Sequence, residues 1–377
     1  MGLTDFLVRA AARRPSVLLV TMPGGTPVRL AAERELRCRG WAEASTPAGA
    51  DLLLVAGPDC PALRSGPDRL WDDMSRPRVR LRAETAEAVA PVLDEGRARL
   101  GETERGPYGA VDPRGHGGPP MAGPGEDRDG LTLDRLHLSL GPFLADWPAG
   151  LVVRVVLQGD VIRRARLGEP YETGPADPFW SRPWIRASAG EPVPVAEAAR
   201  RRAAAHLDSL GRLSAVAGWP AEAVAARRLR DDLLEGAPAD AVLPRTMRLA
   251  RRVGRSRSLY RLTWGIGPLT AADAHAAGVS GPAARAGGDV PARYRQWLSD
   301  TLDDMRRLDD TTTLLDPVAE ESPRGRWDTQ RPPSAALAGL LPRLLEGTEL
   351  AAARLVVASL DPDPDEPAVR RQEVARG

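Results

Sequence analysis

The sequence predicts two folded parts, a small doubly wound parallel α/β domain and then a largely helical domain that an antiparallel β element opens. Three observations support this fold class, which mixes α/β and α+β parts. Apolar runs at 17–22 and 51–57 end at proline or glycine and alternate with helical segments, as in parallel sheets. A Gly- and Pro-rich stretch at 101–130 interrupts the alternation. Beyond residue 196, apolar residues recur at helical spacing.

The first part is expected to span residues 1–100. Helical segments are predicted at 28–39, 62–74 and 85–99, with a third strand at 79–82. Ligands of doubly wound sheets sit at the carboxyl ends of the strands. The Gly24-Gly25 pair lies at such an end and is either a phosphate-binding turn or a plain tight turn, and an incomplete GxGxxG pattern favours the plain turn.

The second part is expected to span residues 131–366, after a linker at 101–130 and before a polar tail at 367–377. A hairpin is predicted where the runs at 151–157 and 161–167 flank Gln158-Gly159-Asp160. Leucine and valine at three- and four-residue spacing predict helices that form a bundle. The strands and helices predicted here are 131–138, 151–157 and 161–167, then 207–216, 224–234, 245–253, 293–308 and 334–345.

The charge balance excludes a dedicated nucleic-acid binder. Arginine supplies the basic charge, and the chain carries 52 basic against 51 acidic residues, a net charge of +1. Such binders draw most of their affinity from neutralising phosphates and need a marked basic excess. No uncharged apolar stretch reaches about 18 residues, so we expect a cytoplasmic protein, soluble or peripheral at the cytoplasmic face of the membrane.

Cysteine and histidine are too few and too scattered for the common metal sites. Cys38 and Cys60 cannot supply the four thiolates of an iron–sulfur cluster. The four histidines lie far apart, and neither GxSxG nor HExxH occurs. We therefore predict no catalytic residue, metal ligand or cofactor for this chain, and interpret both cysteines as small packing side chains.

Two segments are candidates for an interface. The window 245–261 holds seven arginines and no acid, which indicates an acidic partner subunit, an anionic surface, or ion pairs with acidic segments such as Asp231-Asp232. The run 178–184 (PFWSRPW) is either a core and loop anchor or a docking patch. The residues assigned to a possible interface are Arg245, Arg248, Arg251, Arg252, Arg255, Trp180 and Trp184.

The second part resembles the large, quinone-pocket subunit of respiratory complex I, known as its D-type subunit, and the large subunits of nickel-iron hydrogenases. The opening element carries the resemblance at 140–142 (LGP), 148–154 (PAGLVVR) and 157–162 (LQGDVI). Later segments follow in the family's order. They are 267–270 (GPLT), 278–285 (GVSGPAAR), 288–294 (GDVPARY), 321–325 (ESPRG), 341–347 (LPRLLEG) and 359–362 (SLDP).

The first part resembles the small, cluster-bearing subunit of the same assemblies, known as the B-type subunit. The segments 50–58 (ADLLLVAGP) and 73–79 (DMSRPRV) are similar to its strand motifs. The resemblance implies a fusion of a shortened B-type domain to a D-type domain. It also implies partners among the other subunits of a complex-I-like or hydrogenase-like assembly.

The departures from the family lie at its redox sites. Where the small subunits carry cluster cysteines, this chain reads 23–26 (PGGT) and 83–86 (AETA). The turn at 143–147 (FLADW) lacks the quinone-binding histidine, and 363–366 (DPDE) stands where hydrogenases place a cysteine pair. The resemblance thus implies a cluster and a quinone that these residues put in doubt. Arg293, Asp289 and Arg324 would then serve the fold or an interface.

The expected role is a non-catalytic structural, accessory or assembly component of a membrane-associated NADH dehydrogenase-like or hydrogenase-like complex. One alternative is an active quinone-reducing subunit, with the cluster on another chain and Asp146 or Tyr171 as remnants of the quinone pocket. Another is a nucleotide-binding or regulatory module that uses the Gly24-Gly25 turn.

Overall fold

The structure is a computed structural model that describes residues 14–102, 123–126, 132–169, 178–314, 316, 320–328 and 330–367. The described chain forms two compact units, residues 14–102 and the described residues from 123 onward. Each unit has its own sheet.

The first unit is a parallel sheet of four strands with helices, which confirms the predicted α/β class and adds one short strand to the three predicted. The strands are β1 (Ser16–Thr21), β2 (Ala42–Glu43), β3 (Leu52–Ala56) and β4 (Val79–Ala83), in the order β2-β1-β3-β4. The apolar run of β3 is buried at every residue, because a central strand is covered on both faces. Helices α1 (Thr26–Arg39), α2 (Ser65–Asp72) and α3 (Val89–Glu102) complete the unit.

Close packing accounts for the Gly24-Gly25 turn at the end of β1. Gly24 has φ +75°, and a Cβ on Gly25 would lie 2.5 Å from the Ala56 carbonyl oxygen. Gly57, at the end of β3, approaches Gly25 equally closely. Only glycines permit this contact, which favours the plain-turn interpretation.

The second unit opens with an antiparallel sheet in the order β5-β6-β7-β8. Its strands are β5 (Gly123–Glu126), β6 (Thr132–Leu140), β7 (Val153–Gln158) and β8 (Val161–Leu167). The hairpin of β7 and β8 confirms that prediction. Strand β5 lies inside the stretch predicted as a linker, because backbone pairing with β6 needs no apolar side-chain pattern.

Ten helices follow among the described residues of this unit. They are α4 (Arg182–Ser188), α5 (Val195–Val216), α6 (Pro220–Leu234), α7 (Ala239–Gly254), α8 (Arg257–Thr263), α9 (Ala271–Ala276), α10 (Gly281–Ala286), α11 (Val290–Met305), α12 (Pro333–Leu345) and α13 (Leu350–Leu360). Helix α5 is central, since α6, α11 and α13 all pack against it. The apolar face of the antiparallel sheet packs on α12 and α13, through Val153, Ile162, Leu341 and Val356 among others.

Candidate functional site

The segments that carry the family resemblance meet in the helical unit around Arg293. This side chain is 1 % exposed and donates from Nη1 to the carbonyls of Gly267 (2.9 Å) and Gly288 (3.1 Å). Its Nε donates to Ser359 Oγ at 3.0 Å. Burial lowers the pKa of Arg293 to about 10. One buried guanidinium thus joins three segments that are distant in sequence, so its role is in the fold.

Asp289, just before α11, also serves the fold. Its Oδ1 accepts from the backbone N–H of Ala292 at 3.2 Å and caps the helix. Its Oδ2 accepts from the backbone N–H of Gly265 at 2.8 Å. Both Asp289 and Arg293 therefore make their hydrogen bonds within the fold.

The turn at 322–325 packs directly on the start of α10. Ser322 Oγ donates to the Gly325 carbonyl at 2.8 Å, which closes the turn. A Cβ on Gly281 would lie 2.6 Å from Gly325 Cα, and Ser280 Oγ accepts from the backbone N–H of Arg326 at 2.9 Å. The two glycines permit a backbone contact that places Arg324 in the interior.

Asp361 ends α13 in the left-handed conformation, with φ 44° and ψ 54°. Arg324 Nη2 lies 2.7 Å from its Oδ2, and Arg212 Nη2 lies 2.7 Å from its Oδ1. Ser209 Oγ also donates to Oδ2. Asp361 is 3 % exposed and Arg324 is 5 % exposed. Burial lowers the pKa of Arg324, but attraction by Asp361 and the neighbouring acids outweighs it and the net shift is upward.

The ion pairs continue from Arg212 into the interface of α5 and α6. Asp208 receives Arg212 Nη2 at 3.2 Å on Oδ2 and Arg230 Nη1 at 2.5 Å on Oδ1. Arg230 is fully buried and also contacts Asp231 Oδ1 at 2.7 Å. Acids and arginines alternate along this line, which we call the charge chain. Its members are Asp231, Arg230, Asp208, Arg212, Asp361 and Arg324.

Two further carboxyl groups lie buried just beyond Asp361. Glu366 accepts from Ser181 Oγ at 2.5 Å and from the backbone N–H of Ser334 at 3.1 Å. Ser334 Oγ accepts from the backbone N–H of Asp363 at 2.9 Å. Burial raises the pKa of both Asp363 and Glu366. These contacts tie residues 363–366 to α12 and to the residue before α4.

The space left beside the charge chain is very small. A cavity of about 10 Å³, lined by Ser209, Arg324, Ser359, Asp361 and Trp297 among others, lies at the Arg324–Asp361 pair. That volume corresponds to about one water molecule. The cavity has room for a water molecule but not for an organic ligand, since pockets for organic ligands start at about 300 Å³.

A second buried polar group lies between α5 and α11. Arg202 contacts Asp304 through Nε and Nη2, the latter 2.6 Å from Oδ1. Burial raises the pKa of Asp304 to about 6, against the attraction of Arg202. His206 Nε2 donates to the Pro323 carbonyl at 3.2 Å, and burial lowers its pKa to about 4. His206 is therefore neutral at pH 7.

Asp146, predicted as a quinone-pocket remnant, lies in an ion pair. Arg227 Nη2, on α6, is 2.6 Å from Asp146 Oδ1. Asp146 has φ 57° within a turn that the indole of Trp147 also supports, through a hydrogen bond to the Leu151 carbonyl. Tyr171, the other predicted remnant, lies outside the described residues.

Trp180 and Trp184 do not form a docking patch, because they are 2 % and 0 % exposed. Trp184 packs with Val193, Leu314 and Trp327, and its Nε1 donates to the Glu320 carbonyl at 2.7 Å. The proline-flanked aromatic run is therefore a core anchor. The sequence allowed both interpretations, since the packing partners lie far away along the chain.

The five arginines predicted as an interface lie on α7 or directly after it. Arg245 pairs with Asp232, and Arg252 Nε lies 3.1 Å from Glu222 Oε1, so two of them have acidic partners on α6. Arg248, Arg251 and Arg255 are exposed. The buried face of α7 consists instead of Val242, Thr246, Leu249 and Val253.

The thiols and other metal-ligating side chains are dispersed. Cys38 is exposed on α1, and Cys60 is buried after β3, where burial raises the pKa of its thiol. Within the described residues, no three His, Cys, Asp or Glu side chains are grouped to hold a metal ion. None of the described helices is long and apolar enough to span a bilayer.

The charge chain is the feature that sequence reasoning missed. Asp208 and Arg212 lie four residues apart on a helix whose neighbours are apolar, which is the one local signal for a buried pair. Arg230 and Asp361 come from other elements, and nothing in their local sequence indicates the contact.

Comparison with known proteins finds structural likenesses but no sequence relative. No protein-family profile and no curated protein matches the chain. A chain in the solved structure of the membrane-bound sulfane sulfur reductase, an archaeal respiratory membrane complex, matches with 15 % sequence identity and a TM-score of 0.44. The match covers 62 % of this chain and 98 % of that chain.

Proposed function

We propose that this chain is a non-catalytic structural, accessory or assembly component of a membrane-associated complex related to complex I and the nickel-iron hydrogenases. It would join a degenerate B-type domain to a D-type domain. One observation carries the proposal. The charge chain occupies the space beside the 359–362 segment, directly before the positions where the resembled hydrogenase large subunits place a cysteine pair.

The residues present do not fit a nickel–iron centre. Such centres are held by thiolates, and the segment after Asp361 supplies carboxyl groups instead. Asp361 is held by two arginines, and Glu366 accepts hydrogen bonds from Ser181 and Ser334.

A quinone headgroup does not fit beside the charge chain either. The cavity there is about 10 Å³. Opening it would leave Arg324 or Asp361 buried without its partner, which costs about 3–5 kcal/mol per broken pair. Asp146 is one of the two predicted remnants of the quinone pocket, and its carboxylate is held by Arg227.

The contacts around the matched segments support a scaffold. Arg293 joins the 267, 288 and 359 segments, and the Gly281–Gly325 approach joins the 278–285 and 321–325 segments. Residues that stabilise a fold can persist when the chemistry of a site is lost, since they determine packing. A protein that keeps its shape retains surfaces for its neighbours in a complex.

The exposed arginines of α7 are the proposed contact with an acidic partner chain. Arg248, Arg251 and Arg255 are exposed to solvent, next to Met247, which is 43 % exposed. Arginine and methionine are both enriched at protein interfaces. A partner with a complementary acidic surface would bind here at a rate that depends on salt.

The experiment is purification of the tagged full chain from solubilised membranes of its native cells, without oxygen. We expect it to migrate in a larger complex whose other chains hold the iron and acid-labile sulfide. Arg248→Glu with Arg255→Glu should release it from that complex. Arg97→Glu with Arg228→Glu, two exposed arginines elsewhere, is the control of equal charge change. Migration of the wild-type chain alone would overturn the proposal.

A further inference from the structure

The outer face of the antiparallel sheet carries a cluster of arginines. Strand pairing sets Ser139 opposite Arg154, and Arg154 opposite Arg166, in one row across β6, β7 and β8. The next row holds His137, Val156 and Arg164. Alternate residues of a strand share a face, so these side chains project on the side away from the apolar core.

These residues line an open groove of about 310 Å³. Arg154, Arg164 and Arg166 supply its charge, His137 and Ser139 supply further polar atoms, and none of the residues that line it is acidic. The volume lies at the lower end of the range for small-molecule sites. The groove is built on paired strands, which fix the backbone positions of the three arginines relative to one another.

The cluster is unfavourable unless an anion neutralises it. Arg154 and Arg166 are direct cross-strand neighbours, and like charges in that position are destabilising. Within the described chain, no ion pair involves Arg154, Arg164 or Arg166. Arginines elsewhere, such as Arg227 and Arg285, do pair with acids.

We propose that this groove binds a phosphate group of a phosphorylated ligand. Planar guanidinium groups donate two parallel hydrogen bonds to phosphate oxygens, and two adjacent arginines match the charge of a dianion. Arg154 and Arg166 hold the phosphate, Arg164 adds charge from the next row, and Ser139 donates a hydroxyl hydrogen bond. The phosphate belongs either to a soluble molecule or to the headgroup of an anionic lipid.

The test for the soluble source is isothermal titration calorimetry and thermal unfolding of the full chain with pyrophosphate in low salt. We expect saturable binding at one site per chain and a rise in Tm with ligand concentration. Arg154→Gln with Arg166→Gln should weaken binding at least tenfold. Arg97→Gln with Arg228→Gln removes equal charge from two exposed positions elsewhere and should leave the affinity unchanged.

The test for the lipid source is sedimentation with phosphatidylcholine vesicles that contain phosphatidic acid. Binding that the Arg154→Gln, Arg166→Gln variant loses and the Arg97→Gln, Arg228→Gln variant keeps assigns the phosphate to a lipid headgroup. Failure of the wild-type chain to bind either probe would overturn the proposal. Equal losses in both variants would also overturn it, since they show attraction by overall charge alone.

The ligand-free variants give an independent check that folding is intact. Removing the cross-strand repulsion should raise the Tm of the Arg154→Gln, Arg166→Gln variant by about 1–3 °C. A Tm that falls would mean that these arginines already contact acids of the chain itself, which contradicts the proposed site.

Discussion

Arg324 and Asp361 form a buried ion pair between segments 37 residues apart in sequence, with Nη2 and Oδ2 separated by 2.7 Å. Arg212 holds the other carboxylate oxygen of Asp361, and Ser209 donates a hydroxyl hydrogen bond to the carboxylate. Three polar side chains thus converge on one carboxylate, so the structure around Asp361 depends on its charge. An intact buried ion pair changes the free energy of unfolding little. Removing one partner is strongly destabilising, because the other charge stays buried without compensation.

Replacing Asp361 with asparagine should destabilise the chain strongly. Arg324 and Arg212 would remain buried with less compensating charge, and we expect a loss of about 3–5 kcal/mol in the free energy of unfolding. Asp303→Asn is the matched control, because its pair with Arg306 is exposed and should change stability by less than about 1 kcal/mol. Urea denaturation measures both. Equal losses of stability in the two variants would show that the buried charge of Asp361 matters no more to folding than an exposed one.

The stability cost of crowding the Gly281–Gly325 contact can be measured separately from the cost of backbone strain. Gly281→Ala places a Cβ 2.6 Å from Gly325 Cα at φ +73°. Gly278→Ala has nearly the same φ, +70°, with nothing within 4 Å. Thermal unfolding should therefore show a loss of about 1 kcal/mol for Gly278→Ala, from backbone strain alone. The loss for Gly281→Ala should be at least twice as large, and similar values would contradict the packing described.

The pKa of His206 predicts a pH-dependent stability difference. Its folded pKa of about 4 lies below the ordinary value of 6.5, so the unfolded chain binds more protons between these pH values. His206 therefore costs stability as the pH falls from 6.5 towards 4. His206→Gln keeps a donor for the Pro323 carbonyl and does not titrate.

The unfolding free energy of the wild type minus that of His206→Gln should rise by roughly 3 kcal/mol between pH 4 and pH 6.5. Asp304 has the opposite effect on stability between pH 4 and pH 6.5. Its folded pKa is raised to about 6, so its contribution to the free energy of unfolding is lost as the pH rises. Both proteins contain Asp304, so its contribution cancels when the unfolding free energy of His206→Gln is subtracted from that of the wild type. A difference that stays constant with pH would contradict a buried, neutral His206.

The assignment of Trp184 to the core can be tested against an exposed tryptophan. Trp184 is fully buried, and Trp184→Phe leaves a partial cavity and an unpaired Glu320 carbonyl, for an expected loss of about 1–3 kcal/mol. Trp264 is 66 % exposed, so Trp264→Phe should change stability by less than about 0.5 kcal/mol. Chemical denaturation gives both values. A neutral Trp184→Phe would restore the docking-patch interpretation of that residue.

The elements of the fold were predictable where local pattern decides them. The apolar run of β3 and the Gln158-Gly159-Asp160 turn of the hairpin both specify their structure within a few residues. Strand β5 was not predictable, because it is held by backbone pairing with β6. Helix ends differ by a few residues, as for α3, which begins at Val89 and ends at Glu102.

The site was predictable only in part. The resemblance singled out Arg293 and Arg324 as residues of the fold or of an interface, but it could not give their partners. Pairings such as Arg230 with Asp208 join different helices, so they cannot be predicted from composition or periodicity. The burial of Trp184 likewise depends on Trp327, which is 143 positions further along the chain.

The most direct test of the central claim is metal, acid-labile sulfide and quinone analysis of the full chain, purified alone without oxygen, together with its visible absorption spectrum. We expect a colourless protein with far less than one iron, nickel or quinone per chain, because the cavity beside the Arg324–Asp361 pair is about 10 Å³ and the segment after Asp361 supplies carboxyl groups instead of thiolates. Iron and sulfide in stoichiometric amounts, or a tightly bound quinone, would contradict the account and assign the chain a redox role.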